Sequence, residues 1–349
     1  MVSTDICQIE CTKVSKRRRA SFFVALKPGL YILLVLAVAL GAGAYSLRKY
    51  GIFSCSASGY ASGTYLSYCN ATSYGDYDHG AIWFGLEPAA SAAAANAHVL
   101  FLGNSRTQFA FSSKATSKWF SSISESYYLL GFSHSENYTF EGPLVRKLRS
   151  KAKVHVINID SFFEQSETGP GKSVMQDESA KTRYEEKRQW QRMHKAICTV
   201  FDPVCGNDGA FFRSRSDGAW IVTGGPFPSA PVSYDEKIDR DKFTAYSALG
   251  KQFLPMLNSD RACTILTLVP AVKSGIGTAK AVAAALGFDL VSPRLAALAT
   301  FDGVHLDQES AQRWSAAFLE QAGPQIRKCL SEPPGMAYRD LRGRKLVSD

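Results

Sequence analysis

The chain has 349 residues, 46% hydrophobic and 20% charged, with a formal net charge of +9 at pH 7. This composition excludes a disordered or collagen-like chain and allows one large domain, or two small ones, with a sizeable core. Residues 1–49 hold Lys13, Lys16, Arg17, Arg18, Arg19, Lys27, Arg48 and Lys49 against Asp5 and Glu10, and the mild excess beyond them argues against a nucleic-acid partner, which needs a basic face on the folded domain.

Residues 1–28 read as a short cytoplasmic tail. From Gly29 to Leu47 the chain runs "GLYILLVLAVALGAGAYSL" without a charge, close to the roughly 20 residues that cross a bilayer as a helix. Lys and Arg crowd its N-terminal flank, so the positive-inside rule predicts a single-pass signal-anchor with a cytoplasmic N-terminus. Two alternatives stay open. "AGA" at Ala42–Ala44 resembles the cleavage site of a signal peptide, and the stretch could be a buried core helix. Both membrane readings put residues 50–349 in a periplasmic or extracellular space.

Cysteine usage fits export. Cys7 and Cys11 fall on the cytoplasmic side, whereas Cys55, Cys69, Cys198, Cys205, Cys263 and Cys329 fall outside. An even number in an oxidising compartment suggests disulfides. Proximity favours Cys55–Cys69 and Cys198–Cys205, which leaves Cys263–Cys329, although fifteen pairings are open. A zinc site competes for these thiols, without a C-x2-C pair to support it.

Residues 48–95, rich in Gly, Ser, Ala and Tyr, predict an irregular exported linker. The pattern then alternates. Strands are expected at 98–102, 126–130, 153–160 and 262–269, with a short one at "DLVSP". Helices are expected near 109–120, 142–151 and 181–197, over "DRDKFTAYSALGKQFLPMLN", at 277–288, and from Gln308 to Leu330. The clear strands are apolar on both faces, which argues for a mainly parallel sheet covered on both sides. The architecture is a three-layer α/β/α sandwich over residues 96–330, with an inserted lid at about 164–234 and a loose basic tail at 331–349.

Two blocks carry chemistry. "VLFLGNSRT" places Ser105 just past the first of these strands and ahead of a helix, where open α/β sheets bind ligands. The bland reading is that Asn104 or Ser105 caps that helix. "FDGVHLDQESAQRW" places Asp302 three residues before His305. On a turn, that spacing brings a carboxylate to one ring nitrogen and leaves the other for a nucleophile. A serine needs such a base, and the base needs a group that fixes its tautomer.

These blocks resemble those of the SGNH (GDSL-like) hydrolases and acyltransferases. The family's first block is a Gly-Asp-Ser turn, here "LGNSRT" with Asn104 in place of the aspartate. Its last block is Asp-x-x-His, here Asp302 and His305. The resemblance implies a flavodoxin-like fold with Ser105 as nucleophile, His305 as general base and Asp302 as its orienter. For Gly131 in "YYLLGFSHSE" it implies a backbone N–H that shares an oxyanion with the N–H of Ser105. The third block, Gly-x-Asn-Asp, is absent; "VINIDSFF" stands there, with Asn158 and Asp160 as candidates to line the site and Arg106 as a substitute donor. The nearest branch is membrane-anchored and faces the cell envelope. It implies cleavage or transfer of an ester-linked acyl group on an envelope or exopolysaccharide glycan. No metal or organic cofactor is implied, and the partners would be membrane-bound acyl-transfer or polysaccharide assembly proteins. The alternative is a degenerate scaffold or glycan-binding module. In "KTRYEEKRQWQRMHK", a solvated helix face is expected, with Tyr184 and Trp190 as candidates to stack on sugars.

Overall fold

The computed structural model describes residues 28–49, 51–70, 74–224, 229–257 and 263–331. The sequence tails on either side, with Cys7 and Cys11, lie outside the described residues.

The first helix, α1 (Pro28–Lys49), has a mean hydropathy of 2.2 over its most apolar window and no buried residue. It is long and apolar enough to cross a membrane, as an anchor or as a signal sequence.

The second unit follows in mixed α/β order. A 3-10 turn at Gly51–Ser54 leads to β1 (Thr64–Cys69), β2 (Gly75–Asp76), α2 (Asp78–Trp83) and α3 (Pro88–Asn96). Then come β3 (Val99–Asn104), α4 (Ser105–Phe111), α5 (Lys114–Ser122), β4 (Tyr127–Phe132), α6 (Tyr138–Leu148) and β5 (Val154–Asn158). The excursion holds α7 (Gly169–Gln176), α8 (Ala180–Val200), β6 (Ala210–Ser214), β7 (Trp220–Thr223) and β8 (Ala230–Pro231). The chain closes with α9 (Arg240–Phe253), β9 (Thr264–Thr267), α10 (Ile276–Leu286), β10 (Ala299–Thr300) and α11 (Gln308–Ser331).

The parallel sheet has the order β4-β3-β5-β9, with Gly103 opposite Gly131 and Leu102 opposite Ile157. Every residue of these four strands is buried, as expected of strands covered on both faces. Alternate side chains Val99, Phe101, Leu129, Val154, Val156 and Ile265 share one core with Trp314, Phe318 and Ile326 of α11, the period of two that a strand imposes. The order turns around at β3. The carboxyl ends of β3 and β5 therefore bound the crevice where open sheets take ligands.

Three expectations need correction. Residues 48–95 are not irregular: β1 pairs antiparallel with β6, and a second sheet runs β2-β1-β6-β7. The segment expected as a linker and part of the expected lid thus form one sheet. The helix expected near 109–120 is two helices. It breaks because Ser113 turns out of the helical region and its Oγ accepts the N–H of Thr116 at 3.1 Å, an N-cap for α5. "DLVSP" makes only an isolated bridge, Leu290 with Leu266. The sulfurs of Cys55 and Cys69, Cys198 and Cys205, and Cys263 and Cys329 stand at bonding distance, with Cα separations of 6.1, 5.9 and 5.6 Å.

Candidate active site

The turn from β3 into α4 builds the first half of the site. Gly103 has φ +141°, and a Cβ there would lie 2.3 Å from Thr107 Oγ1, so the sharp turn requires glycine. Asn104 is the helix cap: its Oδ1 accepts the N–H of Arg106 at 3.0 Å. Its Nδ2 donates to the carbonyl of Asp160 at 3.2 Å and to Ser161 Oγ at 2.9 Å. Asn104 is buried by this work, and the hydroxyl of Ser105 is left for another partner.

That partner arrives from the loop between β10 and α11. Asp302 Oδ1 accepts the N–H groups of Val304 at 3.0 Å and His305 at 2.8 Å, which closes the turn. Asp302 Oδ2 lies 2.6 Å from His305 Nδ1, and His305 Nε2 lies 2.7 Å from Ser105 Oγ. With Nδ1–H donating to the carboxylate, Nε2 is the acceptor for the serine proton. Partial burial alone would push the Asp302 carboxyl up. The hydrogen bond and charge of His305, with the two backbone N–H groups, hold it below the usual range instead. The imidazole is fixed by two rings. Phe109, one helical turn after Ser105, has its centroid 4.5 Å away, and Phe301 stacks at 5.5 Å. Phe109 also meets Phe211 and Trp220 edge-on, so the second sheet contributes an aromatic wall.

Gly131 does not fill the role expected of it. It lies inside β4, and its N–H donates to Gln108 Oε1 at 3.0 Å. Its carbonyl accepts from the guanidinium of the buried Arg213. A Cβ at Gly131 would come within 2.6 Å of the carbonyl of Asn104. The glycine permits two strands to close under the serine turn and has no N–H free for an oxyanion. Asn158 is wholly buried; its Oδ1 accepts the N–H of Val269 at 3.1 Å, joining the ends of β5 and β9. Asp160 pairs with Arg106 at 2.6 Å. Of the donors foreseen, there remain the N–H of Ser105, at a helix start where N–H groups lack intrahelical acceptors, and the guanidinium of Arg106.

Beside this turn lies a cavity of about 550 Å³, lined among others by Arg106, Asp160, Lys242, Tyr246, Lys273 and Thr278. Ser105 and His305 are not among its lining residues, but its wall is tied to the triad loop: the N–H of Val272 donates to the carbonyl of Gly303 at 3.2 Å. Arg106 and Asp160, just past the carboxyl ends of β3 and β5, bring the cavity's wall to the residue after the serine. Glu141 stands beneath the turn, with its carboxyl oxygens 3.0 and 3.2 Å from the N–H of Gly103. Burial pushes the Glu141 carboxyl far up.

Gln108, Phe109, Phe301 and Glu141 were not foreseen. Phe109 had a usable signal, since i+4 from a helical serine shares its face. The others depend on neighbours remote in sequence. Tyr184 is buried with its hydroxyl on Asp76 Oδ2 at 3.0 Å, so it cannot stack on a sugar; Trp190 is exposed.

One cluster has ligand-like spacing. His194, Cys198 and Cys205 bring their donor atoms within 4.8 Å of one another. The two cysteines, however, are paired with each other. His194 Nδ1 meets the Tyr60 hydroxyl at 3.0 Å, and Nε2 meets the carbonyl of Cys55 at 3.2 Å. No ligand atom is left free.

No family model, curated protein or solved structure matches the chain.

Proposed function

We propose that the chain is a serine esterase or O-acyltransferase, anchored in a membrane by α1 and acting on ester-linked acyl groups of an envelope or exopolysaccharide glycan. The observation that carries this reading is the relay from Ser105 Oγ to His305 Nε2 at 2.7 Å and from His305 Nδ1 to Asp302 Oδ2 at 2.6 Å. Ser105 Oγ attacks the acyl carbonyl, and its proton passes to His305 Nε2. The imidazolium, steadied by Asp302, returns the proton to the departing alkoxide as the ester C–O bond breaks. Water or a sugar hydroxyl then gives up its proton to His305, attacks the acyl-enzyme, and frees Ser105. The chemistry calls on no metal or organic cofactor.

The order β4-β3-β5-β9, second-first-third-fourth among the parallel strands, is that of doubly wound folds. It supports the SGNH-like three-layer reading. The cavity beside Arg106 has the size of a small-molecule site, and we assign it to the sugar or acyl portion of the substrate.

A second reading has one observation in its favour. Gly131 spends its N–H on Gln108, and loss of one oxyanion donor typically costs about 10²–10³ in rate. A scaffold or glycan-binding module would tolerate that loss. Labelling with a fluorophosphonate probe separates the two. An active triad is labelled at Ser105, and the label disappears in Ser105→Ala and His305→Ala. Absence of label in the folded wild-type chain gives the scaffold reading its place.

A further inference from the structure

We infer that Thr300 is a positioning residue for the triad: its hydroxyl fixes the Asp302–His305 turn and ties that turn to the segment returning from the excursion. What the turn does rests on the esterase reading; that Thr300 holds it does not.

Thr300 closes β10 and is wholly buried. Its Oγ1 donates to the carbonyl of Ala230 in β8 at 2.9 Å and accepts the N–H of Gly303 at 3.0 Å. A hydroxyl has one proton to give and lone pairs to receive with, so one atom makes both bonds.

The bond from Gly303 completes the turn. Asp302 Oδ1 already accepts the N–H groups of Val304 and His305. Three successive N–H groups are thus received by two side chains, Thr300 and Asp302. Gly303, at the middle of the bend, has φ +85°, the left-handed region that glycine enters freely. With Oδ1 held by the backbone, Oδ2 is left at 2.6 Å from His305 Nδ1. Without the Thr300 hydroxyl, Gly303 loses its acceptor and Asp302 alone must hold the bend. A misplacement of about 1 Å at a catalytic group can cost about 10²-fold in rate.

The bond to Ala230 says what the turn is fixed against. β8 and β10 pair through their backbones, Thr300 opposite Ala230 and Ala299 opposite Pro231. The N–H of Val232 donates to the carbonyl of Leu298 at 2.9 Å. The same segment then crosses to the loop after β9. There the N–H of Ser233 donates to the carbonyl of Ala271 at 3.2 Å, and that of Asp235 to the carbonyl of Ser274 at 2.7 Å. Asp235 and Ser274 line the cavity beside Arg106. The triad turn, the returning segment and one wall of the cavity are a single hydrogen-bonded unit, and Thr300 is the side chain that joins its first two parts. The β8–β10 pairing is made by backbone and survives loss of the hydroxyl; the hold on Gly303 does not.

The test uses the full chain in detergent micelles. Thr300→Val keeps the branched shape and removes the hydroxyl, whereas Thr300→Ser keeps the hydroxyl. One readout is the rate at which a fluorophosphonate labels Ser105. The other is the far-downfield proton resonance of His305 Nδ1–H, identified by its absence in His305→Gln. Thr300→Val, with unchanged far-UV circular dichroism, should be labelled about 10²-fold more slowly and should shift or broaden the resonance. Thr300→Ser should restore both. Wild-type labelling and resonance in Thr300→Val overturn the inference. So does a Thr300→Ser chain as impaired as Thr300→Val, which would leave the hydroxyl without the role. Should Thr300→Val not fold, amide hydrogen exchange in the wild-type chain decides: Gly303 should be protected, and exchange at the rate of an unstructured peptide overturns the inference. A wild-type chain that takes no label loses the esterase reading, while the resonance and the exchange still judge Thr300.

Discussion

Gln108 holds the backbone of Gly131: its Oε1 accepts the glycine N–H at 3.0 Å, while its Nε2 donates to the carbonyl of Gly218 at 2.7 Å. One fully buried amide on α4 thus joins the parallel sheet to the β6–β7 turn. Gln108→Ala strands a buried donor and a buried acceptor, each costing about 1–3 kcal/mol. We expect a loss of about 2–6 kcal/mol of stability in denaturant titration. If the N–H so released reaches the site, the activity of the surviving folded fraction will rise rather than fall. Stability unchanged by the substitution would show that this amide does not tie the two sheets.

The relay makes a graded prediction for activity on a small acetyl ester. Ser105→Ala should bring turnover to background with an unchanged melting temperature, since one partly exposed hydroxyl is lost. Asp302→Asn keeps an oxygen for the N–H groups of Val304 and His305 but offers the imidazole the wrong partner, and should cost on the order of 10⁴-fold in kcat. Activity in Ser105→Ala equal to that of the wild type would remove the serine from the chemistry.

A pH effect on stability follows from His79, which is wholly buried between Asp76 Oδ1 at 2.9 Å and Glu136 Oε2 at 2.8 Å. Burial alone would pull the imidazole down, but the two carboxylates raise its pKa to about 10. The unfolded chain titrates near 6.5, so the folded state holds this proton more tightly. The stabilisation is complete below about pH 6.5 and is lost as pH rises toward 10. The melting temperature should fall across that window, and His79→Gln should flatten the decline. A variant that declines as steeply as the wild type would place the pH dependence elsewhere.

Cys263 and Cys329 lie 66 residues apart in sequence and join the start of β9 to the end of α11. A loop of that length constrains the unfolded chain by ~4 kcal/mol in the chain-entropy account. Cys263→Ser/Cys329→Ser should lower stability by up to that amount. Peptide mapping without reduction should recover the two segments linked, and free thiols at both positions would exclude the bridge.

The sequence carried the parallel strands and the three relay residues because each rests on a local signal. Val99–Leu102 is apolar on both faces, and Val154–Ile157 departs from that only at His155; "LGNS" turns sharply after a strand; Asp302 and His305 lie within one turn. The sheet β2-β1-β6-β7 carried no such signal. Its central pair joins Thr64–Cys69 to Ala210–Ser214, and a pairing across some 140 residues leaves no mark in either strand. Gly131 misled for a related reason. A glycine at a strand end reads alike whether it offers its N–H to a ligand or admits a neighbouring carbonyl, and only the placement of Gln108 and Asn104 decides. Arg213 was invisible because a buried guanidinium depends on Asp78, 3.2 Å away in space and remote in sequence.

The 200 residues that separate Ser105 from His305 set an order of events during synthesis. The serine is made, and its strand can pair with β4 and β5, long before its base exists. A serine hydroxyl without a base barely ionises at neutral pH, so a chain broken off anywhere before residue 305 carries an inert nucleophile. In the proposed reading, the growing polypeptide stays chemically silent toward esters until residue 305 has been translated and folded, and acyl transfer reports a chain that has passed that point.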